Sequence, residues 1–294
     1  MKDELNTKPE RLPVSVIVPV RNEEENLRAC LDSVSWADEV FVVDSTSRDR
    51  TPEIAREMGA NLVPFSYDGG WPKKKNWALR NLPLRNEWVL MLDADERVPP
   101  DLREEIREVL RAPGGDGYYI RWKFVFLGRW MKHAWSHGWM LRLLRRGRGE
   151  YEDLGMRGEG GWDTEVHENI VVQGPTRCLR SFLLHESNKS LSYWIAKQNE
   201  FSDWNATSWQ KRLEEPFPPI RDLWSSDPLK RRRLLKALYL RLPGKPLLMF
   251  LHLYILRGGF LDGRAGLYFC ALRAAHELNI AAKLFERRQK KTPA

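Results

Sequence analysis

Two aspartates, Asp93 and Asp95, directly follow the apolar run Trp88–Leu92. An uninterrupted apolar run of this length predicts a strand that is buried on both faces. The acids then lie at its carboxyl end, where open α/β sheets bind their ligands. Because they are two residues apart, a turn could direct both carboxylates at one hard cation, which prefers oxygen ligands. The alternative is a solvated acidic loop, since strands commonly end in polar residues.

A further acid, Asp44, ends another apolar run, and the β-branched run Val14–Val20 leads into the turn Arg21–Glu23. Apolar residues at helical spacing follow both turns, with Asn22 and Thr51 as the expected N-caps. Strands alternating with helices of this size predict a mostly parallel α/β sheet with right-handed crossovers. The aspartates at the strand ends would then line a shared crevice.

The pattern changes after Gly114. The runs Tyr118–Phe126 and Trp139–Arg145 predict strands of an antiparallel element, and the polar, glycine-bearing stretch Glu150–Gly161 predicts a mobile loop. Helical patterns dominate the chain after residue 189, so we expect the sheet to be followed by a helical extension.

The composition of the 294-residue chain, with 30% charged and 42% apolar residues, is typical of a globular protein with a full core. Its net charge of +8 favours an anionic partner: a nucleotide diphosphate, a nucleic acid or an acidic membrane surface. The three cysteines are widely separated without metal-ligand spacing, which favours a reducing, cytosolic compartment. We expect no signal peptide, and no apolar run approaches the roughly 20 residues of a membrane span.

Three blocks of the chain, Val16–Glu23, Asp44–Thr51 and Asp93–Asp95, resemble in order and spacing those of family 2 glycosyltransferases of the GT-A fold. The resemblance is strongest over residues 14–110. Other residues are similar to a narrower subgroup that adds sugars to the lipopolysaccharide inner core: Gly128, Arg142, Leu143, His167, Glu168, His185 and Gly259–Gly266. The resemblance implies the α/β fold class, as a Rossmann-like GT-A sheet with helices on both faces and a C-terminal helical extension.

The implied domain organisation is a mobile lead-in at residues 1–12, a catalytic domain at 13–188 and a helical region at 189–294. Within the catalytic domain, residues 13–112 would bind the nucleotide sugar and residues 113–188 the acceptor. The implied activity is a metal-dependent, inverting transfer of a sugar from a nucleotide-sugar donor, UDP-linked, to a lipid-anchored glycan of the lipopolysaccharide core type.

The resemblance also implies the donor-binding residues, with the nucleoside held by the turn that ends at Glu23 and by Asp44. A carboxylate at Asp44 can accept bonds from ribose hydroxyls or uracil N–H, although it could instead cap a turn, and Glu23 could merely complement a helix dipole. Asp95, with Asp93, would hold Mg²⁺ or Mn²⁺ against the diphosphate, and Asp93 would contact ribose. The expected nucleotide-sugar contacts are Pro19, Val20, Arg21, Asn22, Glu23, Asp44, Lys74, Lys75, Asp93 and Ala94.

Two further features could contribute to binding of the diphosphate. Lys73, Lys74 and Lys75 open a predicted helix, where basic charge is unfavourable; this favours a function for at least one of them over a solvated basic helix start. His185 ends a predicted strand and could complete the metal coordination. The alternative for His185 is a buried, hydrogen-bonded core histidine.

An inverting transfer needs a general base near the acceptor hydroxyl, on the side opposite the leaving group. The candidates are Asp163, Glu165, His167 and Glu168; in an extended segment the first three share one side. The resemblance favours Glu168, and His167 is the alternative because its intrinsic pKa suits base work. Asp163 remains a candidate for the base. The alternative for the whole segment is a rim loop with ordinary charges and no catalytic role.

Aromatic and apolar residues suggest how the acceptor could be met. Trp130, Trp135, Trp139 and Trp162 could stack on sugar rings, although tryptophans more often simply pack. The run Leu247–Leu256 is apolar almost all round, is ten residues long and lies between basic clusters. Such a helix could lie in the interface of an anionic membrane, which predicts a peripheral location on the inner face of the cytoplasmic membrane. The alternative is a helix buried against the catalytic domain.

Three other functions compete for the same residues. The acceptor could be a protein or a different polysaccharide. A non-catalytic nucleic-acid-binding module is disfavoured because the basic charge is dispersed and no nucleic-acid motif is present, so we expect no nucleic-acid partner. A nucleotidyltransferase would need a glycine-rich, triphosphate-cradling turn after the first strand, and Arg21–Glu23 is not one.

Overall fold

The computed structural model describes residues 11–135, 138–153, 169–224 and 228–291. The chain folds as two compact units. The sheet unit comprises the described residues up to Trp130 and from 138 to Lys189. The helical unit comprises the segment Met131–Trp135 and the described residues from Ser190 onward.

The sheet unit alternates strands and helices through its first half. Its strands are β1 (Leu12–Val20), β2 (Ala37–Asp44), β3 (Asn61–Pro64), β4 (Trp88–Met91), β5 (Glu96–Arg97), β6 (Gly117–Phe126), β7 (Arg129–Trp130), β8 (Trp139–Arg145), β9 (Gly149–Tyr151), β10 (Ile170–Val172) and β11 (Thr176–Glu186). Its helices are α1 (Glu24–Ser33), α2 (Thr51–Glu57), α3 (Lys74–Asn81) and α4 (Pro100–Arg111).

The main sheet has the order β3-β2-β1-β4-β8-β6-β11-β5, with β7 paired to β6, while β9 and β10 form a separate pair. β1 runs parallel to β2 and β4, with Val20 opposite Asp44 and Ile17 opposite Met91. The carboxyl ends of these three strands therefore meet at one edge, as the sequence predicted. β8 runs antiparallel to β4 and β6, which confirms the predicted change of pattern after Gly114.

Both faces of the central strands are buried, as their apolar runs predict. On one face Val16 and Val18 lie in a cluster with Leu27 of α1 and Leu102 of α4. On the other face, Ile17 of β1 lies in a second cluster with residues of β4 and α3. Burying a large aliphatic side chain contributes about 1.5–3 kcal/mol, so both rows of β1 stabilise its central position in the sheet.

Local predictions at the helix starts were wrong. Glu23, and not Asn22, is the N-cap of α1. Asn22 has a φ of 56°, in the left-handed region, and its side-chain oxygen instead accepts a hydrogen bond from the backbone N–H of Arg48. Helix α2 begins at Thr51 itself, with Arg50 at the N-cap. The polar loop predicted from Glu150 begins inside strand β9.

The helical unit consists of α5 (Leu191–Glu214), α6 (Pro228–Arg241), α7 (Lys245–Leu251), which continues as a π-helical turn at His252–Leu256, and α8 (Gly263–Lys291). Its Asp262 carboxylate accepts hydrogen bonds from the backbone N–H groups of Lys132, His133 and Ala134, at 3.2, 3.0 and 2.8 Å. Within the described residues, no helix has the length and apolar character that crossing a bilayer requires.

Candidate active site

Asp93, directly after β4, is held between two cations. Lys75 Nζ lies 2.9 Å from Asp93 Oδ1, and a terminal guanidinium nitrogen of Arg142 lies 2.6 Å from Asp93 Oδ2. Burial alone would raise the pKa of Asp93, but the charges of Arg142 and Lys75 outweigh burial and hold the pKa well below its usual range. Asp93 is therefore a fixed anion whose two oxygens both already accept charged donors.

Arg142 was part of the subgroup pattern, but no role was predicted for it. It lies on β8, whose antiparallel pairing beside β4 carries the side chain to the acidic turn, and only 2% of the side chain is exposed. The same guanidinium nitrogen also contacts Glu96, which is fully buried and accepts a hydrogen bond from the Asp93 backbone N–H at 2.9 Å. Burial raises the pKa of Glu96 despite the Arg142 charge. Arg142 and Glu96 thus fix the turn from both sides.

Asp95 takes a different partner. The Nε2 atom of His185, near the end of β11, lies 3.1 Å from Asp95 Oδ2, because His185 is opposite Glu96 in the antiparallel pair of β11 and β5. Burial would raise the pKa of Asp95, but the interaction with His185 lowers it. Burial would correspondingly lower the pKa of His185, which the Asp95 carboxylate raises instead. The imidazole ring also packs 4.8 Å from that of Trp122, between centroids.

Asp95 and His185 fit a divalent cation as a pair of ligands. They supply an oxygen and a nitrogen donor side by side, and 32% of the Asp95 side chain stays exposed to a ligand. Asp93 is less suited to direct coordination because Lys75 and Arg142 occupy its oxygens. Among the described residues, no group of three or more His, Cys, Asp or Glu side chains forms a ready-made metal site.

The expected nucleoside loop is held by hydrogen bonds across the ends of β1 and β2. The Asp44 carboxylate accepts a hydrogen bond from the Ser47 backbone N–H at 3.1 Å and from the Ser47 hydroxyl. The Ser47 hydroxyl oxygen in turn accepts a bond from the Asn22 N–H at 2.8 Å. Asp44 therefore caps a turn, which was the alternative to nucleoside binding. This turn shapes the loop beside the strand ends. Pro19 and Val20 lie in β1, Arg21 is exposed, and Ala94 is buried beside the acidic turn.

Glu23 is tied to a residue that the sequence did not single out. Lys189 Nζ lies 2.7 Å from Glu23 Oε1 and donates to the Asn22 carbonyl oxygen at 2.7 Å. Burial raises the pKa of Glu23 although Lys189 opposes that shift. Asn188 reinforces the contact, since its backbone N–H donates to the Asn26 side chain at 2.7 Å. The segment after β11 thus fastens the turn that follows β1.

The three consecutive lysines are buried, which contradicts the alternative of a solvated basic helix start. Lys73, Lys74 and Lys75 are exposed by at most 7%. Lys74 Nζ donates to the Val20 carbonyl oxygen at 2.8 Å and so anchors the end of β1. Lys75 anchors Asp93. Burial of three ammonium groups at one helix start is costly, and here they stabilise the turns that carry the candidate donor site.

The remaining candidates divide between described and undescribed parts of the chain. Glu168, Asp163 and His167, with Glu165 and Trp162, lie outside the described residues, so their predicted roles stay predictions. Trp130 packs edge-on against Phe182 in the sheet unit, at 5.9 Å between ring centroids. In the helical unit, Trp135 packs edge-on against Phe269 at 5.7 Å.

Comparison with known proteins identifies the family of this chain. The profile of the family described as "Glycosyl transferase family 2" matches residues 15–161. The chain therefore belongs to glycosyl transferase family 2, an enzyme family. Its α/β sheet with a C-terminal helical region has the GT-A architecture that the family resemblance implied.

Two individual relatives are similar to this chain over different lengths. A lipopolysaccharide core biosynthesis glycosyltransferase, LpsC of Rhizobium meliloti, is 28% identical over 94% of this chain and 93% of that protein. An uncharacterised glycosyltransferase of Rickettsia bellii is 34% identical, over 36% of this chain and 35% of that protein.

Two solved structures resemble nearly the whole chain in fold. S. aureus TarS 1–349 with UDP-GlcNAc has a TM-score of 0.47 at 17% identity, covering 96% of this chain and 93% of that one. The mannosyltransferase PcManGT of Pyrobaculum calidifontis, with GDP-Man and Mn²⁺, has a TM-score of 0.45 at 19% identity, covering 97% and 91%. At these scores neither structure assigns a donor to this chain.

Proposed function

We propose that this chain is a metal-dependent, inverting glycosyltransferase that moves a sugar from a UDP-linked donor to a lipid-anchored glycan of the lipopolysaccharide core type. The observation that carries the proposal is the acidic turn after β4, where Asp95 meets His185 while Asp93 is held by Lys75 and Arg142. The relative from Rhizobium meliloti, named for lipopolysaccharide core biosynthesis, supports the acceptor class.

Donor binding follows from the fixed positions of the loops. The turn at Asn22 and the loop capped by Asp44 bind the nucleoside, with the Asp44 oxygens available to ribose or uracil donors. Lys75 and Arg142 orient Asp93 so that it can accept a hydrogen bond from a ribose hydroxyl without turning toward the cation. Because these groups are held before substrate arrives, little reorganisation is needed on binding.

The leaving diphosphate is stabilised at Asp95 and His185. Asp95 and His185 would hold a Mg²⁺ or Mn²⁺ ion, which would neutralise the negative charge that grows as the glycosidic bond breaks. The proton of the acceptor hydroxyl is taken by a carboxylate of the segment between β9 and β10, for which we favour Glu168 over Asp163 and His167.

Access to a lipid-anchored acceptor is provided by an apolar surface on the helical unit. Its members follow one another along α7, the π-helical turn and the 3₁₀ turn Gly259–Asp262, and all are exposed: Leu247, Leu248, Leu251, Ile255, Leu256, Phe260 and Leu261. Exposed Arg241 and Arg264 flank this surface in sequence. An apolar strip between basic residues suits the interface of an anionic bilayer, which supports a peripheral location on the inner face of the cytoplasmic membrane.

The proposal is tested by transfer assays with purified enzyme, a panel of nucleotide sugars and deacylated or intact core glycolipid, with and without Mn²⁺. We expect one UDP-sugar to be consumed with inversion at its anomeric carbon. Glu168→Gln should bind donor but lose transfer, whereas an active Glu168→Gln beside an inactive Asp163→Asn assigns the base to Asp163. Transfer that is undiminished in excess EDTA would refute the metal dependence.

A further inference from the structure

Three side chains lie side by side across the sheet on β8, β6 and β11. Arg121 of β6 is in register with Trp139 of β8 on one side and with Phe182 of β11 on the other. The guanidinium carbon Cζ of Arg121 lies 4.8 Å from the centroid of the Trp139 ring and 4.5 Å from that of Phe182. The cation is thus sandwiched between two aromatic faces, which fixes its position on the sheet.

A second cation continues the row. Lys123 lies two residues after Arg121 on β6, so it points to the same face of the sheet. Its Nζ atom lies 4.9 Å from the centroid of the Trp130 ring, and Trp130 packs edge-on against Phe182. These five residues, Trp139, Arg121, Phe182, Lys123 and Trp130, are called the aromatic–cation platform below.

The charges of the platform are not neutralised within the described chain. Neither Arg121 nor Lys123 forms an ion pair with a described carboxylate, and the Arg121 guanidinium donates a 3.4 Å hydrogen bond to the neutral Arg180 carbonyl oxygen. Other arginines of the unit are paired, for example Arg80 with Glu150 and Arg145 with Asp116. Because 42% of Trp139 is exposed, the platform presents an accessible ring beside two cations that can accept an anion.

The location of the platform matches the acceptor side of the reaction. Tyr119, two residues before Arg121 on β6, packs in the cluster of Tyr151 and Ile170, which belong to β9 and β10. By the alternation of a strand, Arg121 and Lys123 continue that face. The segment that joins β9 to β10 carries the candidate general bases, and the base must lie at the acceptor hydroxyl.

The metal pair lies on the other face. His185 follows Phe182 by three residues on β11 and packs against Trp122, which alternates with Arg121. Lys123 is paired with Leu184, the neighbour of His185, so the platform lies at the same level of the sheet as the metal pair, on the opposite face.

We infer that the aromatic–cation platform is an acceptor subsite for a sugar unit that carries an anionic group, either a carboxylate or a phosphate. The rings of Trp139 and Trp130 offer faces for the apolar side of a pyranose. Arg121 and Lys123 pair with the anion, and the planar guanidinium favours an oxyanion that can accept two bonds. This inference rests on the proposed function, of which it specifies the acceptor chemistry.

Direct binding tests the platform without transfer chemistry. The probes are glucuronate, glucose 6-phosphate and neutral glucose, added to full-length protein labelled with 5-fluorotryptophan and followed by ¹⁹F NMR. The Trp139 resonance is assigned with Trp139→Phe. We expect an anionic probe to shift that resonance with at least about tenfold higher affinity than glucose, and glucuronate and glucose 6-phosphate distinguish a carboxylate from a phosphate.

Charge-removing variants separate recognition from packing. Arg121→Gln and Lys123→Gln should each weaken the anionic probe about tenfold, while Arg111→Gln, at an exposed position of α4, should not. Because Arg121→Gln could perturb the aromatic stack, Lys123→Gln supplies the independent test. Equal binding of glucose and the anions, or wild-type affinity in both variants, would overturn the inference.

Kinetics distinguish a failed subsite from a failed enzyme assignment. In a transfer assay, the platform variants should raise the acceptor KM while leaving the donor KM and Mn²⁺-dependent donor hydrolysis unchanged. A wild-type protein that hydrolyses no nucleotide sugar contradicts the proposed function even if the probes bind. Unchanged acceptor KM in an active Lys123→Gln contradicts the subsite alone.

Discussion

The two units of this protein both bury charged side chains but differ in the apolar surface that they expose. The sheet unit buries charge: Arg142, Lys74, Lys75 and Glu96 lie in its interior beside the acidic turn. Among the described residues, its exposed large apolar side chains are Leu127, Trp139 and Val171. The helical unit exposes such side chains on each of α5, α6, α7 and α8.

The difference indicates which kind of partner each unit binds. A buried, paired charge is held in one position and can serve a charged substrate, at a considerable cost in desolvation. An apolar side chain left in water gains nothing until a partner covers it, so contiguous apolar surface marks an interaction site. We therefore interpret the sheet unit as built around a nucleotide and the helical unit as built to meet a lipid surface.

The largest expected effect comes from removing the Asp95 carboxylate of the acidic turn. Asp95→Ala should lower transfer by about 10³-fold, because the leaving diphosphate then loses its charge neutralisation. Steady-state transfer and circular dichroism are the measurements. Asp101→Ala, an acid on the exposed surface of α4, is the matched control and should keep wild-type activity. Substantial turnover by a folded Asp95→Ala protein would remove Asp95 from the mechanism.

The buried cation network should dominate the stability of the sheet unit. Arg142→Met leaves Asp93 and Glu96 without their shared partner, which should cost about 3–5 kcal/mol of unfolding free energy. In contrast, Arg80→Met breaks a pair with Glu150 whose side chains are 42% and 49% exposed, and this should cost about 1 kcal/mol or less. Urea denaturation measures both. Equal losses in the two variants would mean that burial of the network has no energetic consequence.

The apolar surface of the helical unit should control membrane binding. Leu247 and Leu256 are 63% and 79% exposed, so replacing both with Glu should leave the fold intact. Vesicle affinity should fall by at least about tenfold, since burying a leucine contributes about 1.5–3 kcal/mol. Sedimentation with vesicles containing anionic phospholipid measures this.

The sheet unit supplies the control for membrane binding. Leu127→Glu combined with Val171→Glu introduces the same two negative charges at exposed apolar positions of that unit. It should sediment like the wild type. If the helical-unit variant sediments normally, or forms a monomer from a wild-type dimer, the apolar surface serves protein contact and not lipid.

A buried histidine gives an effect that depends on pH. Burial, with the Arg273 charge, lowers the pKa of His276 to about 4. The unfolded chain, with a histidine pKa near 6.5, therefore takes up a proton that the folded protein refuses. The stabilisation is complete above about pH 6.5 and is lost as the pH falls toward 4, by about 3 kcal/mol.

The His276 effect is isolated by difference. Urea unfolding of wild type and His276→Asn across this pH range cancels the opposing titration of Glu277, whose pKa is raised by burial. The difference in unfolding free energy should shrink as the pH falls. A difference that is independent of pH would mean that His276 is not held neutral.

Sequence reasoning located the edge of the sheet because short-range rules sufficed for it. Apolar runs predicted β1, β2 and β4, and parallel pairing brings their carboxyl ends together wherever the sheet order allows it. Asp44, Asp93 and Asp95 therefore lie where they were expected.

The partners of these acids could not be predicted. Arg142 reaches Asp93 only because β8 inserts antiparallel beside β4, a pairing that depends on the order of the whole sheet. Lys189 reaches Glu23 across a separation of 166 residues. One signal was available: an arginine inside the apolar run Trp139–Leu144 indicates a buried charge that needs a partner. The alternative of solvated lysines at the start of α3 is contradicted because the partners of Lys74 and Lys75 come from neighbouring turns.

The central claim is that Asp95, with His185, holds the donor diphosphate through a divalent cation. The most direct measurement is thermal unfolding of wild type and Asp95→Ala with a panel of nucleotide sugars, each with Mn²⁺ and with EDTA. We predict that one UDP-sugar raises the Tm of the wild type only when Mn²⁺ is present and has no such effect on Asp95→Ala. Stabilisation that persists in EDTA, or that is equal in the two proteins, would contradict the claim.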